Sequence, residues 1–462
     1  MKQKNLIYVF ADQWRAHAVG FAHCDPVLTP NMDAFAAGGM KFTNAISTYP
    51  LCSPHRASLM TGKYPTSCGV WTNCKPGLDE TILLKPQETC ISDVLAQGGY
   101  HTAYIGKWHL DASELNFNRN PPSGAAVWDA FTPPGERRHG FEFWYSYGAM
   151  DDHLHPHYWK DTPHQIKPEL YSPIHETNIA LEYLEHRDKD NPFALFLSWN
   201  PPHPPYDLLP EEYLTLYRDK TLTYRENVPQ QFREDPLFQL NMRRYFGAIT
   251  ALDEQFGRIT RYLKENDLEQ DTILVLSADH GDTMGSHGLY GKNIWYEESI
   301  LIPLVFGGSD IPPGSCDSLL ASPDHMPTLL GLLGLEPPSC VEGSNLAPAV
   351  YGALVEHAPE TAFLCMIPGM PEMVHAYSAR GLYNRSFGWR GIRTKTHTYI
   401  VDNGTQPGCP QQRYLYDNEH DPYQLSPMLL TVGSREDAQY EALLRPYLER
   451  LNDSFLLNRE EY

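Results

Sequence analysis

The sequence predicts an α/β fold with a smaller C-terminal α+β domain, and three observations lead to this prediction. Continuous apolar segments, typical of buried strands, alternate along the chain with segments of helical periodicity. Clusters of polar residues follow directly after several of these segments, as expected at the carboxyl edge of a parallel sheet. Near residue 355 the pattern changes to amphipathic strands. We therefore predict a larger α/β domain over residues 1–357 and a small sheet-and-helix domain over residues 358–462.

The length and charge of the chain narrow the classes of partner. The chain has 462 residues, of which 42% are hydrophobic, enough for one large core and one smaller core. A formal net charge of −21 disfavours binding to nucleic acid or to an anionic membrane surface. No apolar run is long enough to span a bilayer. We therefore expect neither a nucleic acid nor a membrane as a partner.

The N-terminus predicts a strand rather than a signal peptide. Met1-Lys2-Gln3-Lys4 is followed by a short apolar run that ends at Asp12. This favours a cytoplasmic protein, or a periplasmic one if a leader has been removed. The nine cysteines are an odd number in a large chain, which argues against a disulfide framework.

The first strand and the first two helices follow from local signals. Residues 6–11 are apolar throughout and predict a buried strand. Proline suits the first turn of a helix and glycine follows the last, so Thr29-Pro30 and Gly38-Gly39 bound the first helix. A short second helix begins at Cys52 and ends in the same way at Thr61-Gly62.

The later elements of the larger domain alternate between helix and strand. In chain order they are a helix over residues 89–98, a strand over 102–105, a helix over 172–187, a strand over 193–199, a helix over 240–265 and strands over 272–277 and 302–306. The strands are apolar runs, and the helices have apolar residues at helical spacing. The segment 121–138 is rich in proline and glycine and predicts a loop over the active face.

The C-terminal domain is predicted from alternation and from one helix. Residues 391–401 alternate between apolar and polar, and residues 413–416 are a plausible partner strand. A helix around residues 440–451 closes the domain. These features predict a small sheet covered by a terminal helix.

The segment from Cys52 to Gly62 predicts a reactive group that faces an anionic ester. Cys52 lies at a helix N-terminus, where free N–H groups and the helix dipole attract anions. Arg56 follows four positions later, so one helical turn brings it to the same face. The alternative is a buried thiol at the start of a helix, since cysteines are usually buried and inert.

Two pairs of polar residues at strand ends predict a metal site. Asp12-Gln13 follows the first strand, and Asp279-His280 follows a later one. Carboxylate and amide oxygens suit a hard divalent cation such as Ca²⁺ or Mg²⁺. Helix or turn capping explains one such pair easily, but it explains two pairs at matching strand ends less well.

Two motifs carry a resemblance to a known family. Cys52-x-Pro54-x-Arg56-x-x-x-x-Thr61-Gly62 resembles the signature of the type I, formylglycine-dependent sulfatases of the alkaline phosphatase superfamily. The segment from Gly99 to His109 resembles the second signature of that family. Further motifs follow in family order, so the resemblance covers nearly the whole chain. It implies an alkaline-phosphatase-like α/β/α sandwich with a small C-terminal domain.

The resemblance also implies two cofactors. It predicts that a maturation enzyme oxidises Cys52 to formylglycine, an aldehyde that hydrates to a geminal diol. It predicts a metal ion, Ca²⁺ with Mg²⁺ or Mn²⁺ as alternatives, held by Asp12, Gln13, Asp279 and His280 and by the group derived from Cys52. Gln13 stands where the family more commonly has a second aspartate, and this makes the site one charge less negative.

The remaining roles are carried over from the same family. Arg56, Lys107 and Lys292 are expected to hold the sulfate oxygens, and His109 is expected to be the base that releases sulfate. His203, between prolines, and Lys292 are assigned jointly to the proton that the departing alcohol needs. The sequence does not distinguish which of these two residues is the acid.

The resemblance implies a sulfuric ester hydrolase, and several weaker features favour a carbohydrate O-sulfate as its substrate. Aromatic-rich loops and similarity to bacterial carbohydrate sulfatases favour a small-molecule or oligosaccharide sulfate ester and a role in glycan degradation. One alternative is a phosphonate or phosphodiester monoester hydrolase of the same superfamily. Another is a catalytically dead, glycan-binding relative.

Three further features have open interpretations. His153, His155 and His157 alternate, which at strand spacing would form a metal site or a substrate-recognition loop, although an exposed loop is the simpler reading. Nearby aromatic residues could stack on sugars or belong to the core; they are Trp144, Tyr145, Tyr147, Tyr158 and Trp159. Arg137-Arg138 could meet additional sulfates or be ordinary surface.

Overall fold

The larger part of the molecule is built on one eight-stranded sheet. The computed structural model describes residues 3–308, 310–455 and 457, so Met1-Lys2 at the start of the N-terminal segment lies outside the described residues. The strands are β1 (Asn5–Asp12), β2 (Met40–Ile46), β3 (His101–Lys107), β4 (Phe143–Tyr147), β5 (Phe193–Pro202), β6 (Thr272–Ala278), β7 (Val305–Gly307) and β8 (Gly314–Ala321). Their order is β4-β3-β5-β1-β6-β7-β2-β8, and only β7 pairs antiparallel with its neighbours.

Twelve helices accompany the two sheets within the described residues. They are α1 (Pro30–Gly38), α2 (Cys52–Thr61), α3 (Ile91–Gln97), α4 (Ser172–His186), α5 (Glu211–Thr215), α6 (Gln230–Glu234), α7 (Pro236–Glu265), α8 (Glu297–Ile300), α9 (His325–Leu332), α10 (Ala347–Val350), α11 (Pro371–Ser378) and α12 (Arg435–Arg450). Helices α1, α4 and α5 pack on α7, whereas α2, α3 and α9 pack on one another. Every residue of β1, β5 and β6 is buried, so these central strands are covered on both faces.

The register of the central strands brings their carboxyl ends to one edge of the sheet. Ala11 lies opposite Ala278, so Asp12 and Asp279 follow at the same level on β1 and β6. On the other side of β1, Asp12 lies opposite Pro202, and His203 follows. Lys107 ends β3, the next strand along. Four polar residues that the sequence places after apolar runs therefore meet at this edge, as ligand sites do in parallel sheets.

The second sheet is antiparallel and packs against the larger part. Its strands are β9 (Ala362–Met366), β10 (Trp389–Arg393), β11 (His397–Asp402), β12 (Gln412–Asp417) and β13 (Met428–Leu429), in the order β13-β12-β11-β10-β9, and α12 packs on β10. Its Leu364, Trp389 and Ile400 share one apolar cluster with Ile46 and Leu319 of the larger part. The Cys365 amide donates to the carbonyl of Thr48 at 2.9 Å. The two parts are therefore joined by buried contacts.

The structure confirms the predicted fold class and most of the predicted elements. The strand expected over residues 302–306 is a correction, because only Val305–Gly307 forms a strand. Pro303 lacks a backbone N–H and interrupts the preceding segment. The alternating segment 391–401 is a hairpin of two strands, β10 and β11, rather than one strand. Strands β2, β4, β8 and β9 have no counterpart among the predicted elements.

The predicted boundary between residues 357 and 358 stays a prediction. It falls in the segment between α10 and β9, and β9 is the first strand of the second sheet. Within the described part of the chain, no helix combines the length and the apolar character that a membrane crossing requires.

Candidate active site

Cys52 begins helix α2 and lies at the bottom of the site. Its side chain is 1% exposed, and Sγ lies 3.2 Å from Lys292 Nζ, 3.4 Å from His280 Nε2 and 3.5 Å from Asp12 Oδ1. The whole of α2 is buried, and its C-cap Gly62 has a φ of 65°, as the boundary motif predicts. The thiol therefore faces a lysine, an imidazole and a carboxylate at the amino end of a buried helix.

Arg56 connects the two carboxylates of the predicted metal site. Nη2 donates to Asp12 Oδ2 at 3.2 Å, and Nε donates to Asp279 Oδ2 at 3.1 Å. Nη1 donates to the carbonyl of Lys107 and to Ser198 Oγ, both at 2.7 Å. Because most of its donors are used by the protein, Arg56 fixes the carboxylates in position.

Asp12 is the electrostatic centre of the site. Its Oδ2 lies 2.8 Å from Lys107 Nζ, and its Oδ1 lies 4.0 Å from Lys292 Nζ. Burial opposes ionisation of Asp12, but Lys107, His203, Lys292 and Arg56 together outweigh it and hold the pKa of this carboxyl well below its usual range. Asp12 is therefore an anion among several cations.

Four of the five predicted metal ligands, all except Gln13, form one buried cluster. Ligand atoms of Asp12, Cys52, Asp279 and His280 all lie within 4.8 Å of one another. His280 Nδ1 faces the carbonyl of Gly281 at 3.0 Å, which leaves Nε2 as the atom directed at both carboxylates, 3.5 Å from each. Burial and Lys292 lower the pKa of His280 despite Asp279, so the imidazole is neutral. Two carboxylates and a neutral imidazole fit a divalent cation.

The side chain of Gln13 is oriented toward the site by Asp282, a residue to which the sequence analysis gave no role. Its Oε1 accepts a hydrogen bond from Lys292 at 2.6 Å, and its Nε2 donates to Asp282 Oδ2 at 2.7 Å. Tyr206 also donates to that Asp282 oxygen, at 2.6 Å. Asp282 thus orients the Gln13 amide so that its oxygen faces the site. The signal for Asp282 is that it is the next aspartate after Asp279, two residues beyond His280.

Lys107 and His109 lie after β3, as predicted. Lys107 Nζ donates to Asn200 Oδ1 at 3.0 Å as well as to Asp12. His109 has a φ of 53° and is 2% exposed, and neither of its ring nitrogens has a hydrogen-bond partner among the described residues. Burial, with Lys107 and Arg56, holds the pKa of His109 well below its usual value. His109 is therefore a neutral imidazole with free nitrogens, as a general base requires.

The pKa of His203 is shifted in the opposite direction. Its Nδ1 lies 2.7 Å from the carbonyl of Pro204 and 3.3 Å from Asp151 Oδ1. Burial, Lys292 and Lys107 lower its pKa, but Asp12 and Asp151 outweigh them, and the pKa of His203 is raised. Asp151 also accepts from Asn200 Nδ2 at 3.3 Å. The sequence analysis assigned no role to Asp151 or Asn200, because both reach the site only through folding.

The three alternating histidines do not share a face. His153 is buried, and its Nε2 contacts the carbonyl of His203 at 2.8 Å. His155 is exposed, and His157 Nε2 contacts Asp129 Oδ2 at 2.6 Å. Among the described residues these histidines form no metal cluster, and only His153 supports a site residue.

The other open features are structural. The five aromatic residues near these histidines are all buried, so they belong to the core. Arg137 is paired with Asp111, and Arg138 lies 2.8 Å from Asp161. Both arginines are therefore occupied by protein carboxylates.

A cavity of about 460 Å³ opens above Cys52. One side carries predicted site residues, namely Cys52, Lys107, His109, His203 and Lys292. The rest of the wall includes Trp128 and segments to which sequence reasoning gave no role, among them Thr72, Asn73, Lys75 and residues 366–370 at the end of β9. Trp128 lies in the predicted loop 121–138, so this loop does cover the site.

Comparison with known proteins agrees with this geometry. A family model described as sulfatase matches residues 4–335. An endo-4-O-sulfatase of Bacteroides thetaiotaomicron is 36% identical, and the match covers 97% of this chain and 92% of that protein. An ulvan-active sulfatase of Formosa agariphila is 33% identical over 98% of this chain and 82% of its own.

The solved structures lead to the same family. A Bacteroides thetaiotaomicron structure from work on glycosaminoglycan metabolism superimposes with a TM-score of 0.87 at 35% identity, covering 98% of this chain and 97% of the other. The match spans both sheets, and the family model includes every predicted site residue from Asp12 to Lys292. The chain therefore belongs to the sulfatase family and is a sulfuric ester hydrolase.

Proposed function

We propose that this protein hydrolyses an O-sulfate ester of a carbohydrate and that the nucleophile is derived from Cys52. The observation that carries the proposal is the position of Cys52 Sγ, 3.2 Å from Lys292 Nζ and 3.5 Å from Asp12 Oδ1 at the bottom of a 460 Å³ cavity. A group at this position is buried, surrounded by cations and accessible only through the cavity. Such a setting suits attack on an anionic ester.

The sulfatase family implies a bound metal ion and a formylglycine, and the residues of this chain fit both. Asp12, Asp279 and His280 would hold the ion, with Gln13 beside them, and Cys52 is the residue that would be oxidised by a maturation enzyme. When present, the ion supplies a Lewis acid, and the hydrated aldehyde supplies a hydroxyl nucleophile. The donor set favours a hard cation, Ca²⁺ or Mg²⁺.

The lysines and Arg56 prepare the site for a sulfate. Lys107 Nζ and Lys292 Nζ both lie within 4.0 Å of Asp12. These two lysines and Arg56 together carry more positive charge than the carboxylates of Asp12 and Asp279 offset. The excess positive charge, together with the N-terminus of α2, stabilises the negative oxygens of a sulfate. Arg56 contributes charge and keeps the two carboxylates at a fixed separation.

The two histidines divide the proton transfers. Asp12 and Asp151 raise the pKa of His203, so this imidazole keeps its proton to a higher pH than an isolated histidine, and its Nδ1 is directed at Asp151 and Pro204. Its Nε2 is therefore the atom that donates to the departing alcohol oxygen, which would otherwise leave as an alkoxide. His109 is neutral, and its free nitrogens accept the proton whose removal releases the bound sulfate.

Two lines support a carbohydrate as the alcohol part. Two relatives over nearly the full chain are an endo-4-O-sulfatase and an ulvan-active sulfatase, and a similar structure comes from work on glycosaminoglycan metabolism. The cavity mixes polar groups with the exposed part of Trp128, and an aromatic face suits the apolar face of a sugar.

The experiment that tests the proposal compares ester classes on one preparation. Matured, metal-loaded protein is assayed with sulfated mono- and disaccharides, an aryl sulfate and phenyl phosphonate. We expect the highest kcat/KM on a sulfated saccharide. A higher kcat/KM on phenyl phosphonate than on every sulfate ester would contradict the proposal and favour phosphonate monoester hydrolysis.

A further inference from the structure

One cation on the cavity wall, Lys75, forms no ion pair with any residue that the structure describes. Lys75 follows the loop that includes Asn73 and is 5% exposed. Its Nζ lies 3.4 Å from the sulfur of Met370 and 5.5 Å from the centre of the Trp128 ring. Both of these residues line the same cavity as Cys52. Within the described ranges, no carboxylate lies within ion-pair distance of Lys75.

A buried ammonium group without an ion partner is unfavourable unless another interaction offsets its lost hydration. Removing a charge from water costs several kcal/mol in real proteins, and lysines are rarely this buried unless they are paired. The environment of Lys75 shows this cost, because burial lowers the pKa of Lys75 to about 8, with only Glu372 acting in the opposite direction. A thioether and an aromatic face are weak partners for a cation.

The position of Lys75 relates it to the catalytic groups. The Trp128 ring stacks near His109, with ring centres 6.2 Å apart. The distances of 5.5 Å and 6.2 Å bound the separation between Lys75 Nζ and the His109 ring centre at about 12 Å. A substrate that places its sulfate near His109 can therefore reach Lys75 with a neighbouring sugar, across the face of Trp128.

We propose that Lys75 binds a second anionic group of the substrate, either a carboxylate or another sulfate on the sugar next to the hydrolysed ester. This inference rests on the proposed function and deepens it, since it makes the substrate an acidic saccharide. Lys75 is then a specificity-determining residue outside the group that contacts the reacting sulfate. The ligand supplies the counter-ion that the protein lacks, and the apolar surroundings strengthen that contact.

The kinetic test uses four substrates with the same hydrolysed ester where possible. They are a sulfated disaccharide with a uronic acid, its methyl ester, the disaccharide with a second sulfate in place of the carboxylate, and an aryl sulfate. We expect Lys75→Met to raise KM about 10- to 100-fold for the substrate whose second anion is recognised. KM for the methyl ester and the aryl sulfate stays unchanged. Lys75→Arg restores most of the loss.

The comparison of the two acidic disaccharides identifies which anion Lys75 recognises. If Lys75→Met raises KM only for the uronic acid disaccharide, Lys75 recognises the carboxylate. If it raises KM only for the doubly sulfated disaccharide, Lys75 recognises the second sulfate. Lys160→Met is the matched control, because Lys160 also lies beside aromatic rings but is exposed and outside the cavity lining. Equal KM changes for the neutral and acidic substrates would overturn the proposal.

A binding measurement separates this inference from the proposed chemistry. Calorimetry on Cys52→Ala and on Cys52→Ala with Lys75→Met compares the affinity for the uronic acid disaccharide, its methyl ester and the doubly sulfated disaccharide. We expect the added Lys75→Met change to weaken only an anionic ligand. If Cys52→Ala binds the acidic ligands no better than the methyl ester, the inference is wrong, whatever turnover shows. If affinity behaves as expected but no sulfate is released by the parent protein, only the proposed function fails.

Discussion

At the scale of single residues, the proposed acid, His203, and the proposed base, His109, differ in their surroundings. His109 is buried, whereas the side chain of His203 is 15% exposed and, among the described residues, its Nδ1 lies 3.3 Å from Asp151 Oδ1. Asp12, together with this contact, raises the pKa of His203, whereas burial lowers the pKa of His109, which has no acidic partner within hydrogen-bond distance among the described residues. Two identical side chains therefore take opposite roles because their neighbours differ.

The role of His203 predicts a dependence on the leaving group. In His203→Gln we expect kcat on a sulfated sugar to fall by about 10²–10⁴-fold, because the departing alcohol then lacks a proton donor. The loss on 4-nitrophenyl sulfate should be far smaller, since nitrophenolate leaves without protonation. Parallel kinetics on the two substrates provide the measurement, and equal losses would instead assign the proton to Lys292 or to no residue.

The same assignment predicts the sign of the pH dependence. Because His203 must be protonated and its pKa is raised above the usual value near 6.5, kcat on a sulfated sugar should be retained below that raised pKa and fall as the pH increases through it. His109 is neutral at these pH values, so its titration does not change the kcat profile in this range. A kcat profile from pH 5 to 9 provides the check. A profile that is unchanged in His203→Gln would show that another group titrates.

Sequence reasoning identified the site residues that belong to local motifs, and it missed those whose position depends on tertiary packing. Cys52, Lys107 and Asp279 follow from boundary signals and strand ends. Asp151 and Lys75 lie in loops with no local pattern, and their roles depend on partners far along the chain, such as His203 and Met370. No spacing rule connects such pairs, because tertiary folding alone brings them together.

At the scale of elements, strand β3 must approach β5 closely to position Lys107. Gly106 has a φ of 96°, and a Cβ at this position would lie 2.0 Å from the carbonyl oxygen of Ser198. Only glycine fits both the conformation and the spacing. The residue that follows is Lys107, so this contact fixes where its side chain starts.

Gly106→Ala is therefore expected to affect both stability and activity. Strain in the left-handed region and overlap with a backbone oxygen together should lower the free energy of unfolding by about 3–5 kcal/mol. A displaced Lys107 should lower kcat about 100-fold in the protein that still folds. Urea denaturation and steady-state kinetics are the measurements.

Gly99→Ala is the matched control for that change. Gly99 precedes the same strand and has a φ of 84°, but no atom lies within 4 Å of a Cβ there. It should lose only about 1–2 kcal/mol, with activity intact. Equal effects of the two substitutions would show that the approach to Ser198 is not a constraint.

Elements were predictable where the pattern was strong and uniform. Strand β1 is apolar throughout because it is buried on both faces, so it is evident in the sequence. Strand β2 has mixed burial, and β7 has only three residues and follows a proline. Such short or mixed segments depend on their neighbours in the sheet more than on their own composition.

At the scale of the whole molecule, the second sheet is part of the active-site structure. Residues 366–370, which begin at the last residue of β9, line the same cavity as Cys52, Lys107 and His109. The contact between the two parts includes a buried ion pair in which Arg393 of β10 donates to Glu297 at 3.0 Å and 2.9 Å. A sequence pattern predicts two sheets but not how they meet, because contact between them depends on surface shape and on pairs such as this.

Breaking that ion pair should destabilise the whole protein. Glu297→Gln leaves the Arg393 charge buried without its partner and should lower the free energy of unfolding by about 3–5 kcal/mol. Urea denaturation followed by tryptophan fluorescence measures this change. Asp317→Asn is the control, since Lys395 and Asp317 also join the two parts at 2.8 Å but are 50% and 72% exposed. That change should cost no more than about 1 kcal/mol, and equal costs would contradict a buried interface.

The central claim is that a group made from Cys52 performs the reaction. The most direct test measures two quantities on one sample of natively matured protein: the mass of the peptide that contains Cys52, and the turnover of a sulfated saccharide. We expect turnover to rise in proportion to the fraction of Cys52 converted to formylglycine and to be absent in Cys52→Ala. Full turnover from a sample in which Cys52 is entirely an unmodified thiol would contradict the account.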